Sequence, residues 1–131
     1  MKVLSLFDGI SCGMLALQRA GIPVECYDAF EIDKYAVTVS KRNFPVIVHH
    51  GNVYDGDFTK FQGYDLLLGG SPCTYWSIAK KDREVDCNGE GFRLFKEYVR
   101  ALEESGCKYF LYENNYSVHQ RIKDEISKTL G

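Results

Sequence analysis

The stretch VLSLFDGISCGMLALQRAG, residues 3–21, decides the fold. Its first five residues form an almost continuous apolar run, the pattern of a strand buried on both faces. A polar turn bracketed by Gly9 and Gly13 follows, and Gly13 to Ala20 is a good helix former closed by Gly21, a residue able to take the left-handed conformation that ends helices. Strand, glycine turn and helix thus occur within nineteen residues.

The same alternation continues outward. Apolar runs recur at VECYDAFE (24–31), VIVHH (46–50), YDLLLGG (64–70) and KYFLYE (108–113), separated by longer segments of helical pattern. Asp33 is the expected N-cap of a helix running to about Asn43, before Pro45. Leu94, Phe95, Tyr98, Val99 and Leu102 recur at helical spacing, and Gly106 ends that helix. A last helix is expected from Ser117, with Val118, Ile122, Ile126 and Leu130 along one face, while residues 53–63 read as a short helix or a loop. The pattern predicts an α/β fold: a doubly wound, mostly parallel sheet.

The chain has 131 residues, about one ordinary domain, and shows no repeat or linker that would divide it. It contains no run of about 18 apolar residues and no charged-then-apolar leader, so a cytoplasmic or nuclear location is expected, neither secreted nor membrane-bound. A formal net charge of -2 argues against a free-standing nucleic-acid binder without excluding nucleic acid as a substrate. The five cysteines form no CxxC pair or His/Cys cluster of the kind zinc needs, so no metal is expected. Four of them, Cys12, Cys26, Cys87 and Cys107, are expected to be small buried or partly buried hydrophobes.

Ligands of such sheets sit at the C-terminal strand ends. After the first strand, FDGISCG (7–13) offers glycines for close approach and a helix N-terminus. The spacing is not that of a dinucleotide fingerprint, and Asp8 would repel a pyrophosphate while tolerating a positive amino or sulfonium group. Glu31, at the second strand end and roughly 20 residues on, is placed to take both hydroxyls of a ribose. Together they predict an adenosine-containing cofactor without phosphates. At the fourth strand end, Gly69, Gly70, Ser71 and Pro72 lead to Cys73, a cysteine aimed by proline and placed outside the apolar run, as a positioned nucleophile would be. Glu113 and Asn114 end the fifth strand, where a carboxylate on a buried strand must be paired or used.

FDGISCG, GGSPC and ENN, in this order and spacing, resemble the first, fourth and sixth motifs of the DNA cytosine-5 methyltransferase family, and the likeness runs from the N-terminus to about Asn114. The resemblance implies a Rossmann-like S-adenosylmethionine-dependent fold, truncated here after about the fifth strand, with S-adenosylhomocysteine as product and DNA as substrate. It makes Cys73 the nucleophile that adds to C6 of cytosine, Glu113 the acid at N3, and Asn114 the residue ordering the loop that holds Pro72 and Cys73. Phe7, Asp8, Gly9 and Gly13 would line the cofactor site, with Glu31 at the ribose, Ile32 beside it in the sequence also contacting the cofactor, Asn52 and Val53 after the third strand, and Leu94 from the following helix. The target base would be flipped out of its stack to reach Cys73. The polar loop from Thr74 to Gly91, with Lys80, Lys81 and Arg83 among Asp82, Glu84 and Asp86, would close on the DNA.

Two positions depart from the family pattern. Asn52 stands where an acidic residue usually accepts a hydrogen bond from the adenine amine, and Asn115 where the acid motif usually ends in an apolar residue. The arginine-bearing motif, target-recognition region and late helix of the family are not found in these residues, so 1–131 is expected to be the cofactor-binding and nucleophile part of the domain, inefficient alone and completed by a C-terminal part or a second copy. Two alternatives remain: a non-catalytic relic or regulatory module, and a tRNA cytosine-5 methyltransferase.

Overall fold

The computed structural model describes residues 1–70, 90–113 and 128. Pro72, Cys73, Cys87, Asn114, most of the 74–91 loop and nearly all of the helix expected from Ser117 lie outside the described residues.

Among the described residues five strands, β1 (Lys2–Leu6), β2 (Cys26–Phe30), β3 (Val48–His49), β4 (Leu66–Gly70) and β5 (Tyr109–Glu113), form one sheet in the order β3-β2-β1-β4-β5, and each of their pairings is parallel. The order reverses between β1 and β4, so the ligand-facing switch point lies where both strands end, at Leu6 and Gly70. Among the described residues, three helices accompany the strands: α1 (Cys12–Arg19), α2 (Lys34–Asn43) and α3 (Glu90–Ser105).

The local signals explain these boundaries. Asp33 caps α2 by accepting from the Tyr35 and Ala36 N–H groups. Gly21 and Gly106, with φ of 73° and 64°, supply the left-handed residues just beyond α1 and α3. Helix α1 starts and stops one residue before the expected span, because Ser11, not Cys12, adopts the cap position. Glu90 and Gly91 belong to α3 rather than to the preceding loop. The ambiguous residues 53–63 hold two short 3-10 turns, Val53–Asp55 and Phe58–Phe61, each capped by the side chain before it, Asn52 and Asp57.

Alternation along β1 sends side chains to two cores. Leu4 and Leu6 pack with Phe30, Leu67, Val53, Phe58, Phe61 and with Leu94, Tyr98 and Ala101 of α3; Val3 packs on the other face with Met14 and Leu17 of α1, Tyr27 and Ala29. Helices therefore cover both faces, as a parallel sheet requires. The outer strands depart from that rule. β5 was expected to be buried on both faces, yet Tyr109, Phe110, Leu111 and Glu113 are exposed, because β5 forms one edge of the described sheet; Val48 is exposed on β3 at the other edge. Cys107 is buried as expected, whereas Cys12 and Cys26 are exposed.

The glycine pair of LLLGG has a packing role. A Cβ on Gly69 would lie 2.7 Å from the Tyr98 ring, and one on Gly70 would lie 2.7 Å from the Glu113 carbonyl oxygen. Tyr98 uses the space so opened to donate to Leu67 O (3.2 Å) and Leu111 O (3.0 Å), tying α3 to both β4 and β5. Burial is the main reason its phenol titrates well above the ordinary range. Tyr98→Phe is expected to cost about 1 kcal/mol of unfolding free energy in a urea titration, the usual net value of such hydrogen bonding.

Candidate cofactor site

Parallel pairing sets the ends of β1, β2 and β3 side by side, with Leu6 opposite Phe30 and Ala29 opposite His49. Asp8 N–H donates to Phe30 O at 3.3 Å, and His50 N–H to Ala29 O at 2.9 Å, which carries the alignment beyond the strands. The turn after β1 departs from ordinary backbone: Phe7 and Ser11, neither a glycine, have φ of 56° and 69°. Each left-handed residue costs of order 1 kcal/mol, so the surroundings must hold the turn in place.

Glu31 supplies one such hold. Its Oε1 accepts from Gly9 N–H at 2.8 Å, and its Oε2 from Ile32 N–H at 2.9 Å and Asp33 N–H at 3.0 Å. A carboxylate has about four acceptor sites, so among the described residues one, on Oε1, stays open. That is room for one hydroxyl without displacing a backbone donor, where the sequence suggested two. The carboxylate stitches the β1 turn to the start of α2.

Asp8 turns inward. Its carboxylate accepts from Ser5 Oγ (2.7 Å), Tyr27 OH (2.6 Å) and Ser11 Oγ. Burial, and after it the charge and hydrogen bond of Asp8, holds the Tyr27 phenol neutral far above its ordinary range. Gly13 is set by packing, since a Cβ there would lie 2.9 Å from Leu68 Cδ1 and 3.0 Å from Tyr27 OH.

After β3, Asn52 Oδ1 accepts from Tyr54 N–H at 2.9 Å, a side-chain cap that commits one of its lone pairs. Val53 is buried in the α3-side core together with Leu94, which is 9% exposed and so packed against protein. At the other end of the site, Gly70 pairs with Glu113 across β4 and β5. The strand that leads to Cys73 therefore ends beside Glu113.

Two groups escaped the sequence reading. Arg100 of α3 donates to Val53 O (3.1 Å) and Gly56 O (2.9 Å), with Glu97 and Glu104 beside it. Asp28, buried in β2, accepts from Tyr64 OH and bonds His50 Nε2 at 2.7 Å, while the His50 ring stacks on Phe30. Burial, then the hydrogen bond and charge of Asp28, raises the Tyr64 phenol above its ordinary range. A signal for Asp28 was available: a carboxylate in the middle of an apolar strand must have partners. The signal for Arg100 was weaker, glutamates three residues before it and four after it on one helix.

A family model described as C-5 cytosine-specific DNA methylase matches residues 1–130. The chain belongs to that family. Orphan methyltransferase M.SPRI of Bacillus phage SPR is 39% identical over 118 residues, 87% of this chain and 26% of the relative. Type II methyltransferase M.HgiCII of Herpetosiphon aurantiacus is 34% identical over 116 residues, 86% of this chain and 25% of that protein. The chain thus spans about a quarter of the length of these curated relatives. Among solved structures, a DNMT2 mutant from Spodoptera frugiperda matches with a TM-score of 0.75 at 23% identity, over 98% of this chain and 40% of that one. The Dnmt2 methyltransferase of S. pombe matches with a TM-score of 0.71 at 21% identity, over 99% of this chain and 41% of that one. These likenesses carry the fold, and the Rossmann-like sheet expected from the sequence is the fold observed.

The geometry sorts the expected site residues into groups. Phe7, Asp8, Gly9, Glu31, Ile32 and Asn52 share the rim formed by the ends of β1, β2 and β3, with Ile32 strongly exposed there. Val53 and Leu94 form the packed wall behind that rim. Glu113 stands at the far side, on β5. No helix among the described residues is long and apolar enough to cross a membrane.

Proposed function

We propose that the chain is the cofactor-binding and nucleophile-bearing part of an enzyme that methylates C5 of cytosine in DNA. The observation that carries the reading is the Glu31 carboxylate, held by three backbone N–H groups at the switch side of the sheet with one acceptor site open. A rim bearing Asp8 and Glu31 suits a ligand with hydroxyls and a positive centre and disfavours a pyrophosphate. That is the chemistry of S-adenosylmethionine, which when bound supplies an electrophilic methyl group on a sulfonium. Glu31 would take a ribose hydroxyl, Asn52 and Ile32 would meet the adenine side, and Phe7, Gly9 and Gly13 would line the turn. Asp8 contributes charge from below rather than a direct contact.

Cytosine C5 is a poor nucleophile, and the residues carried over from the family address this. The Cys73 thiolate adds to C6, which raises electron density at C5; Glu113 holds the proton at N3 that balances the charge. After methylation, the C5 proton passes to water, its electrons return to the ring as the C6–S bond breaks and the Cys73 thiolate leaves, and N3 gives its proton back to Glu113. Pro72 and Asn114 position the nucleophile, and the base enters flipped from the duplex.

Calorimetric titration of the chain with S-adenosylhomocysteine, with NAD as control, tests the cofactor half of the proposal. Binding of the first and not of the second is expected. A folded sample that binds neither, or binds NAD, overturns it. For the chemical half, methylase activity of the chain joined with the rest of its domain is expected to disappear in Cys73→Ala.

A further inference from the structure

A buried hydrogen-bond network lies beneath the cradle turn and draws on four separate elements. Asp8 is its acceptor, bonded by Ser5 of β1, Tyr27 of β2 and Ser11. Ser11 Oγ lies 2.5 Å from Ser40 Oγ of α2, and Ser40 Oγ lies 3.4 Å from His49 Nε2 of β3. Ser5, Ser11, Tyr27 and Ser40 are all buried.

The direction of each bond follows from the inventory of protons. Ionised Asp8 can only accept, so Ser11 spends its one hydroxyl proton there. Ser11 must then accept from Ser40, and Ser40, its proton spent, must accept from His49 Nε2–H. That fixes the His49 tautomer and leaves Nδ1 a bare acceptor, which is the one buried side-chain nitrogen or oxygen without a partner among the described residues. Protonation would put a donor at that orphaned atom, and burial accordingly lowers the His49 pKa. The chain of donors runs one way, from β3 through α2 to the cradle.

Ser11 also forgoes its ordinary work. As the residue before α1 it makes no side-chain cap bond: its backbone is left-handed rather than extended, and its hydroxyl is engaged by Asp8 and Ser40 instead. With Phe7 and Ser11 both left-handed, the turn persists through what Asp8 gathers around it. We propose that Tyr27 and Ser40 are positioning residues of the cofactor cradle, acting through Asp8 and Ser11 to hold residues 7–13 so that Gly9 N–H meets Glu31. This rests on the cofactor reading above.

The test uses the whole chain and S-adenosylhomocysteine as probe. Tyr27→Phe and Ser40→Ala are each expected to weaken binding about tenfold, the equivalent of one lost hydrogen bond in a charged network. In an Asp8→Asn background, Ser40→Ala is expected to add no more than about twofold, since the path runs through Asp8. Amide exchange of the unliganded variants should quicken at residues 9–13 while β1 amides stay protected, a local effect that general destabilisation does not give. If Ser40→Ala fails to fold, Tyr27→Phe, which deletes one oxygen, carries the same test. Wild-type affinity in the folded variants, or an undiminished Ser40→Ala effect without Asp8, overturns the proposal. Failure of the wild-type chain to bind removes the cofactor reading itself and, with it, any cradle to position.

Discussion

Glu31→Gln is expected to weaken S-adenosylhomocysteine binding about 30-fold or more, a loss of roughly 2 kcal/mol. The carboxylate receives donors on both oxygens, Gly9 on one and Ile32 and Asp33 on the other. A carboxamide has a single acceptor oxygen. In either orientation its NH2 faces at least one backbone N–H, and the cheaper orientation keeps Ile32 and Asp33 and gives up Gly9. The cradle turn then loses its tie to β2 just where the ligand enters, and the remaining acceptor site for a hydroxyl goes too. Removing the negative charge from the start of α2 takes away a further few tenths of a kcal/mol. Asp33→Asn is the control. Its oxygen still caps Tyr35 and Ala36, so affinity should stay within about twofold of the wild type. Calorimetry on both variants, with urea midpoints to separate folding from binding, decides the matter. Affinity of Glu31→Gln within threefold of wild type would show that Glu31 is not the ribose acceptor.

That prediction depends on a residue whose place was legible in the sequence while its partners were not. Strand ends follow from apolar runs and turn residues, so Glu31 could be put at the ligand-facing edge, and Asp33 and Gly106 could be read as helix boundaries. Each of those signals acts within a few residues along the chain. The partners of Glu31 span up to 22 residues, and the network around Asp8 joins positions 5, 8, 11, 27, 40 and 49. Such pairings form only when the sheet sets distant segments side by side, and no local pattern encodes them. Asp8 shows the consequence: read by type it is a charge facing a sulfonium, and by geometry it is the centre of a buried hydrogen-bond cluster.

The edges of the sheet gave a different kind of error. VIVHH and KYFLYE have the composition of buried strands, but β3 is only two residues long and β5 exposes Leu111 and Phe110. Apolar content says that a segment pairs as a strand and leaves open what covers it. The glycine pair of β4 was likewise visible without its reason, because only the Tyr98 ring and the Glu113 carbonyl show what a side chain there would meet.

Arg100→Leu is expected to lower unfolding free energy by about 3 kcal/mol. The guanidinium donates from Nε to Glu97 (2.5 Å), from Nη1 to Gly56 O (2.9 Å) and Glu104 (3.3 Å), and from Nη2 to Val53 O (3.1 Å). Its carbon Cζ lies 4.6 Å from the centre of the Phe58 ring, and Glu104 in turn accepts from Phe58 N–H at 3.2 Å. Partial burial opposes the charge, but the hydrogen bonds and charges of Glu97 and then Glu104 hold its pKa above the ordinary arginine value. Leucine keeps an apolar stem but leaves Gly56 O and Glu97 without the guanidinium, while Val53 O retains the Gly56 N–H and Glu104 the Phe58 N–H. About a third of the Arg100 side chain is exposed, so water replaces part of what is lost and the effect stays below that of breaking a fully buried pair. Lysine, a point charge, can reach one carbonyl at a time and should recover less than half of the loss. Glu97→Gln, which spares both carbonyl bonds, should cost under about 1 kcal/mol. The consequence extends to the proposed cofactor site, because Val53 and Gly56 bound the turn that Asn52 caps and Arg100 supplies hydrogen bonds that fasten that turn to α3, beside the packing of Val53. Folded Arg100→Leu should therefore bind S-adenosylhomocysteine several-fold more weakly while Glu97→Gln binds normally. A urea midpoint for Arg100→Leu equal to that of Glu97→Gln would mean that the carbonyl bonds contribute nothing, and that the turn is held by Phe58 and Phe61 packing alone.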